Sequence, residues 1–227
     1  MRYERKFHVD QLSARQAEIL IKTPPAHFYE VYPPRIVNNI YFDTEAMSDY
    51  RKHVNGAADR SKLRLRWYGS PDGPGGKAAL EVKSKQGQVG SKTVCPIDGV
   101  GKSETSDHRR LSGILQDRCD DRATLERLSG SSPSLFNTYS RQYFASVDNQ
   151  FRLTLDTHVT VQSVQGRPFG PRSRFVDEHL LIMELKYDTV TENEVSRILE
   201  KWPFRLGRIS KYVYGVQRLL GIDLPLV

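Results

Sequence analysis

Lys62-Leu63-Arg64-Leu65-Arg66-Trp67 is the stretch that decides the fold. Basic and apolar residues alternate strictly there, and in an extended strand successive side chains point to opposite faces. Lys62, Arg64 and Arg66 therefore share one face, and Leu63, Leu65 and Trp67 share the other. The same period recurs on both sides of this run. Leu80-Glu81-Val82-Lys83-Ser84-Lys85 aligns Glu81, Lys83 and Lys85, and the intervening Pro71-Asp72-Gly73-Pro74-Gly75-Gly76 has hairpin-turn chemistry. Tyr139, Arg141 and Tyr143 alternate with Ser140, Gln142 and Phe144, while Arg152, Thr154, Asp156 and His158 alternate with Phe151, Leu153, Leu155 and Thr157. Glu184, Lys186 and Asp188 line one side of another run, and Glu4, Lys6 and His8 oppose Tyr3, Phe7 and Val9 in the first. Asn39 to Asp43 and Arg174 to Val176 are weaker strand signals.

Helical spacing appears between these strands, at Ser13 to Lys22, at Asp107 to Leu128 with a break, and at Ser210 to Leu220. Thr191-Glu192-Asn193-Glu194 is a capping-box pattern that opens a helix running to Trp202, which Pro203 ends. Gly130-Ser131-Ser132-Pro133 and Gly166 to Pro171 read as loops. No repeat or linker divides the chain, so residues 1–227 are expected to form one domain.

Composition narrows the classes. With 38% hydrophobic residues and twelve prolines, the chain is neither disordered nor a coiled coil. Its longest apolar run, around Leu180 to Met183, is far shorter than a membrane helix, and Met1-Arg2-Tyr3-Glu4-Arg5-Lys6 has no apolar leader segment. These features predict a cytoplasmic protein. Cys95 and Cys119 lack zinc or redox spacing and read as free thiols. A formal charge of +7 calls for an anionic partner.

The placement of the charges says more than their sum. A strand on an ordinary surface mixes signs and includes uncharged polar residues, whereas here Arg or Lys takes consecutive same-face positions, with a lone carboxylate inserted. Like charges side by side on a sheet repel. A closed barrel resolves the conflict if the apolar faces point outward under helices and the charged faces line a tunnel that holds a polyanion and a metal ion. The expected class is thus α+β, mainly antiparallel, with a closed barrel whose interior is charged and whose helices pack outside.

On these segments the chain resembles the triphosphate tunnel metalloenzymes, or CYTH superfamily, and within it the polyphosphate-polymerase (VTC) domain. The resemblance rests on Glu4-Arg5-Lys6-Phe7, Asn39-Ile40-Tyr41-Phe42-Asp43, Lys62 to Gly69, Glu81-Val82-Lys83, Tyr139-Ser140-Arg141, Arg152 to Asp156, Glu184-Leu185-Lys186 and Ser210-Lys211-Tyr212. It implies a tunnel of about eight strands, as in that family. It implies phosphate contacts from Lys6, Arg64, Arg66, Lys83, Tyr139, Arg141, Arg152, Ser210 and Lys211, with Glu184 holding a divalent ion, Mn²⁺ or Mg²⁺. Ser210 and Lys211 rest on the resemblance alone. Glu4 is a second candidate metal ligand, and Lys85 and Lys186 share the inward face.

Hydrolytic members of the superfamily begin Glu-x-Glu-x-Lys, whereas Arg2 stands here in the first position and only Glu4 and Lys6 remain. Fewer carboxylates and more cations favour an acceptor that is itself a phosphate chain. The expected reaction is therefore transfer from a nucleoside triphosphate to inorganic polyphosphate. The alternatives are a triphosphatase using the same tunnel and a non-catalytic polyphosphate sensor. No nucleic-acid-binding signature is present. Relatives work beside membrane-embedded partners, so a membrane protein that receives the product is implied, at the inner face of a membrane. His8, His158 and His179 are read as structural.

Overall fold

The computed structural model describes residues 2–9, 12–25, 27–87, 89–164, 173–188 and 192–222. The strands are β1 (Arg2–Val9), β2 (Tyr29–Asp43), β3 (Asp59–Tyr68), β4 (Lys77–Gln86), β5 (Val89–Asp98), β6 (Ser132–Ala145), β7 (Arg152–Ser163), β8 (Arg174–Asp177), β9 (Leu181–Asp188) and β10 (Arg205–Gly207). They form one 10-stranded sheet in the order β10-β1-β9-β7-β6-β2-β3-β4-β5, with β8 beside β7. Neighbours run antiparallel throughout. The described helices are α1 (Ala14–Lys22), α2 (Ser48–Val54), α3 (Lys102–Ser106), α4 (His108–Arg118), α5 (Arg122–Ser129), α6 (Glu192–Leu199) and α7 (Lys211–Leu219).

The apolar face of β3 does what its alternation predicts. Leu63, Leu65 and Trp67 are buried with Ile40, Phe42 and Leu80 beneath Leu111 and Leu115 of α4 and Leu128 of α5. Full burial of each such side chain contributes about 1.5–3 kcal/mol. A second outer cluster joins Phe7, Leu153, Leu155, Met183 and Leu185 to Ala17 and Ile21 of α1 and to Val195 and Ile198 of α6. Helix α1 starts where Ser13 and Gln16 satisfy each other's backbone N–H groups in a capping box. The break expected between Asp107 and Leu128 falls at Cys119 to Asp121, where Asp121 caps α5 through the Thr124 N–H.

The other face of the sheet is concave. Strands β1 and β4 lie six pairings apart, which in a flat sheet would separate them by about 29 Å. Glu4 of β1 and Lys83 of β4 nevertheless approach to 3.8 Å. The sheet therefore curls until its ends face each other through side chains.

Two expectations are corrected here. The barrel is not closed: among the described residues β5 pairs only with β4 and β10 only with β1, so a curled sheet of ten strands replaces a closed ring of eight. The edges offer little to zip together: β10 is three residues long, and Gly90 and Pro96 interrupt β5. Nor do all helices lie outside. Tyr212, Tyr214 and Val216 of α7, with Met47 before α2, pack on the concave face against Val37, Tyr41, Leu135, Tyr139, Val159 and Val161. They fill one end of the trough.

Smaller differences have local causes. In β7 an extra residue is accommodated between Thr157 and Thr160, where the pairing with Ser140 and Thr138 shifts and His158 takes φ +54°. The bulge moves His158 off the charged face and turns Val159 and Val161 inward. Strand β5 escapes the alternation rule because its first six residues are exposed and Gly90 and Pro96 interrupt it. Pro133, read as loop, already belongs to β6. Gly166 to Pro171 and the Thr191 cap lie outside the described residues.

Gly215 is where α7 approaches the sheet most tightly, since an added Cβ would sit 3.0 Å from both Leu135 Cδ1 and Val161 Cγ1. Gly215→Val is expected to lower stability by about 1–3 kcal/mol in denaturant unfolding. An unchanged midpoint would contradict this packing.

Candidate functional site

The floor of the trough is built from cross-strand rows. Tyr41, Arg64 and Glu81 lie side by side on β2, β3 and β4, with Asn39 and Arg66 in the next row. Arg64 donates from Nε and Nη2 to Glu81 Oε2 at 2.8 and 2.6 Å, and from Nη1 to the Tyr41 hydroxyl at 3.4 Å. Glu81 also accepts from Lys92 Nζ at 2.7 Å. Burial works to raise the Glu81 carboxyl, but Arg64, Arg66 and Lys92 outweigh it and bring it down to about 2. Arg66 donates to Asn39 Oδ1 at 2.8 Å and to the Tyr139 hydroxyl at 3.2 Å. Asn39 in turn donates to Asn137 Oδ1 at 2.8 Å, which fixes the amides behind the guanidinium.

The facing wall centres on Asp156, which is completely buried. Arg141 grips both its oxygens at 2.6 and 2.7 Å, and Lys211 Nζ meets Oδ2 at 2.5 Å. Both cations also lie over the Tyr139 ring, at 5.3 and 4.7 Å from its centre. Lys211 arrives here because α7 begins beside it. Ser210 caps that helix through the Val213 N–H and accepts from Lys62 Nζ at 2.6 Å.

Along β1 and β9, Lys6 meets Glu4 at 3.1 Å, and Lys186 meets Glu184 at 2.8 Å and Glu4 at 3.8 Å. Burial would lower the Lys6 ammonium, yet Glu184 and Glu4 hold it above its ordinary value. Burial would likewise raise Glu184, but Lys6, Lys186 and Arg141 pull it well below the carboxylate range. Lys62 differs from all of these. No carboxylate lies within ion-pair distance of it among the described residues, and burial, then Lys6, Lys83, Arg64 and Arg60, push its ammonium well below the usual value.

The curl thus brings together Lys6, Arg64, Arg66, Lys83, Tyr139, Arg141, Ser210, Lys211, Glu4, Glu184 and Lys186. Arg152 stands apart, exposed at the rim opposite Lys186 in register, and Lys85 lies opposite Arg60 and Gly90. Sequence reasoning left Lys62 out of the site, although it opens the deciding run on the same face as Arg64 and Arg66. Tyr41, Asn39 and Asn137 were also missed. Parity on β2 could have found the first two, but the fixing of Asn137 depends on a contact 98 residues away in sequence.

For a divalent ion, Glu184 and Glu4 offer oxygen donors that converge on one ammonium. Thr154 is opposite Glu184 in register, and its buried hydroxyl has no hydrogen-bond partner. Carboxylate and hydroxyl oxygens suit Mg²⁺ or Mn²⁺, which usually take one or two carboxylates and complete their shell with water and substrate phosphates. No group of three or more His, Cys, Asp or Glu gathers among the described residues, so the substrate would have to supply much of that shell.

Two measurements test this electrostatic picture. The folded Glu81 pKa lies below its unfolded value, so its contribution to stability is full above about pH 4.5 and is lost as pH falls toward about 2. Glu81→Gln should flatten the acid limb of the stability curve, and an unaltered limb would contradict the assignment. Lys62→Met should leave the ligand-free protein as stable or more so, while weakening tripolyphosphate binding roughly 10- to 100-fold by titration calorimetry. Loss of stability with unchanged affinity would make Lys62 structural.

Comparison with known proteins places the fold. Similar folds occur in a candidate adenylate cyclase from Vibrio parahaemolyticus (13% identity, 97% of this chain and 97% of that one, TM-score 0.50) and in a protein from Pyrococcus horikoshii (13% identity, 96% and 99%, TM-score 0.54). A candidate adenylate cyclase from Bacillus halodurans is similar too, at 14% identity over 100% of this chain and 94% of that one, TM-score 0.51. At such identities the likeness establishes the fold alone. A search of curated protein sequences finds no significant match. The family model for the VTC domain matches residues 1–220, and the chain belongs to that family, with the fold of the triphosphate tunnel metalloenzymes.

Proposed function

We propose that the protein is a metal-dependent phosphotransferase that moves the terminal phosphoryl group of a nucleoside triphosphate onto an inorganic polyphosphate chain. The observation that carries this reading is Lys62, a cation turned into the trough among other cations, with no carboxylate of its own. Its missing partner is an anion that bridges several cations at once. A row of phosphates has that shape, and arginine forks pair with phosphate oxygens.

Phosphoryl transfer depends mainly on positioning and charge stabilisation. Arg64 and Arg66 are held by Glu81, Asn39 and Tyr139 with donors still available, and Arg141 and Lys211 are fixed by Asp156. These groups would hold the non-bridging oxygens without rearranging as charge develops. A terminal oxygen of the chain attacks the outermost phosphorus, and the bond to the bridging oxygen breaks with its electron pair leaving on the nucleoside diphosphate. The acceptor oxygen is already anionic, so no general base is needed. Glu184, with Glu4 and Thr154 beside it, would hold Mn²⁺ or Mg²⁺, which when bound polarises the phosphoryl oxygens. We take residues 1–227 as one catalytic unit working in the cytoplasm beside a membrane protein that receives the chain. No helix among the described residues is long and apolar enough to cross a membrane.

Purified protein with ATP, Mn²⁺ and short polyphosphate primers should release ADP and lengthen the primers on a phosphate-stained gel. Free phosphate with unchanged primers would make the protein a triphosphatase, and tight binding without turnover would make it a sensor. Glu184→Gln should remove the metal-dependent turnover while the protein stays folded, and full activity with the same metal requirement would overturn the role given to Glu184.

A further inference from the structure

At one mouth of the trough lies a group of side chains that the phosphate chemistry does not use. Beyond Arg66 and Tyr139, the concave face continues into Arg35, Tyr32, Tyr143 and Tyr68. Arg35 pairs with Arg141 in register, Tyr32 with Tyr143, and Tyr68 with Val37, itself opposite Tyr139. The Arg35 guanidinium sits 5.1 Å from the Tyr32 ring centre and 5.7 Å from that of Tyr143, and the two rings meet edge to face at 6.0 Å. No carboxylate lies within ion-pair distance of Arg35 among the described residues. Burial, then the nearby Tyr68 hydroxyl, raise the Tyr143 phenol to about 12.

Such exposure needs a reason, because Tyr32 and Tyr68 are 50% and 51% exposed while most of the chain's large aromatic side chains are buried. The local backbone explains how they come to be exposed. Strand β2 pairs with β3 only from Val37 onward, so its first half has β6 on one side and an open edge on the other. Pro33 and Pro34 fall within the register shift between Tyr32 and Arg35, and a second shift separates Glu30 from Tyr32, so the ladder is interrupted on both sides of Tyr32.

We propose that this cluster is the base-binding platform of the nucleoside triphosphate, with the base stacked on Tyr32 and Tyr68 and its edge near Arg35. Flat aromatic faces together with a planar guanidinium match a π-system, and they adjoin the phosphate cradle through Arg141, two residues from Tyr143 on the same strand. A bare phosphate chain could use Arg35 but gains nothing from the exposed rings. The proposal rests on the phosphotransferase reading for the phosphate end and adds the nucleoside end. Stacking tolerates any base, so ATP and GTP are treated alike.

The test compares ATP with inorganic tripolyphosphate by titration calorimetry on the parent protein, on a variant carrying Tyr32→Ala and Tyr68→Ala, and on one carrying Tyr32→Phe and Tyr68→Phe. The alanine variant should lose roughly tenfold in ATP affinity and keep its tripolyphosphate affinity within about twofold, and the phenylalanine variant should keep both. Unchanged ATP affinity in the alanine variant, or equal losses for both ligands, would overturn the platform and leave the phosphate site standing. Failure of the parent to bind either ligand would overturn the phosphate site and the platform together.

Discussion

Asp156, buried and gripped by Arg141 and Lys211, ties one wall of the trough to the helix that fills its end. Arg141 comes from β6 and Lys211 from the start of α7, so one carboxylate joins a central strand to the helix that fills the end of the trough. Burial would raise its pKa, but Lys211 and Arg141 hold it low, and both cations are left with defined directions over the Tyr139 ring. Removing that charge would leave two cations desolvated, a change that typically costs about 3–5 kcal/mol. Arg64 and Arg66 follow the same rule: each is fixed by a carboxylate or amide on the floor and keeps further donors for something else.

That rule stops at Lys62, whose partners are a serine hydroxyl and other cations. A lysine whose folded pKa is depressed binds fewer protons in the fold than in the unfolded chain, so this group favours the fold more as pH rises toward its ordinary value. An anion placed in the trough reverses the balance. The ligand, on this view, is the missing component of the electrostatic core.

Much of this was legible in the sequence. Strict alternation at Lys62 to Trp67, Leu80 to Lys85 and Met183 to Asp188 located strands and faces, because with one face buried a slip of one residue would turn the whole pattern over. The helical spacings that begin at Ser13 and Ser210 located α1 and α7, and the structure shows those two side chains capping them. Three features were not legible. Closure depends on long-range pairing that no local pattern encodes. The bulge at His158 changes parity without a sequence signal. The packing of α7 on the concave face depends on Gly215, whose fit to Leu135 and Val161 exists only in three dimensions. Glu81 and Asp156, on the charged faces of their runs, proved to be partners of arginines on neighbouring strands.

A crystal structure with bound tripolyphosphate tests the central claim most directly. The account predicts one phosphate chain lying along the trough, its oxygens within hydrogen-bonding distance of Lys62, Arg64, Arg66, Arg141 and Lys211. A chain bound on the convex surface, or a trough that stays free of ligand at saturating concentration, would contradict it.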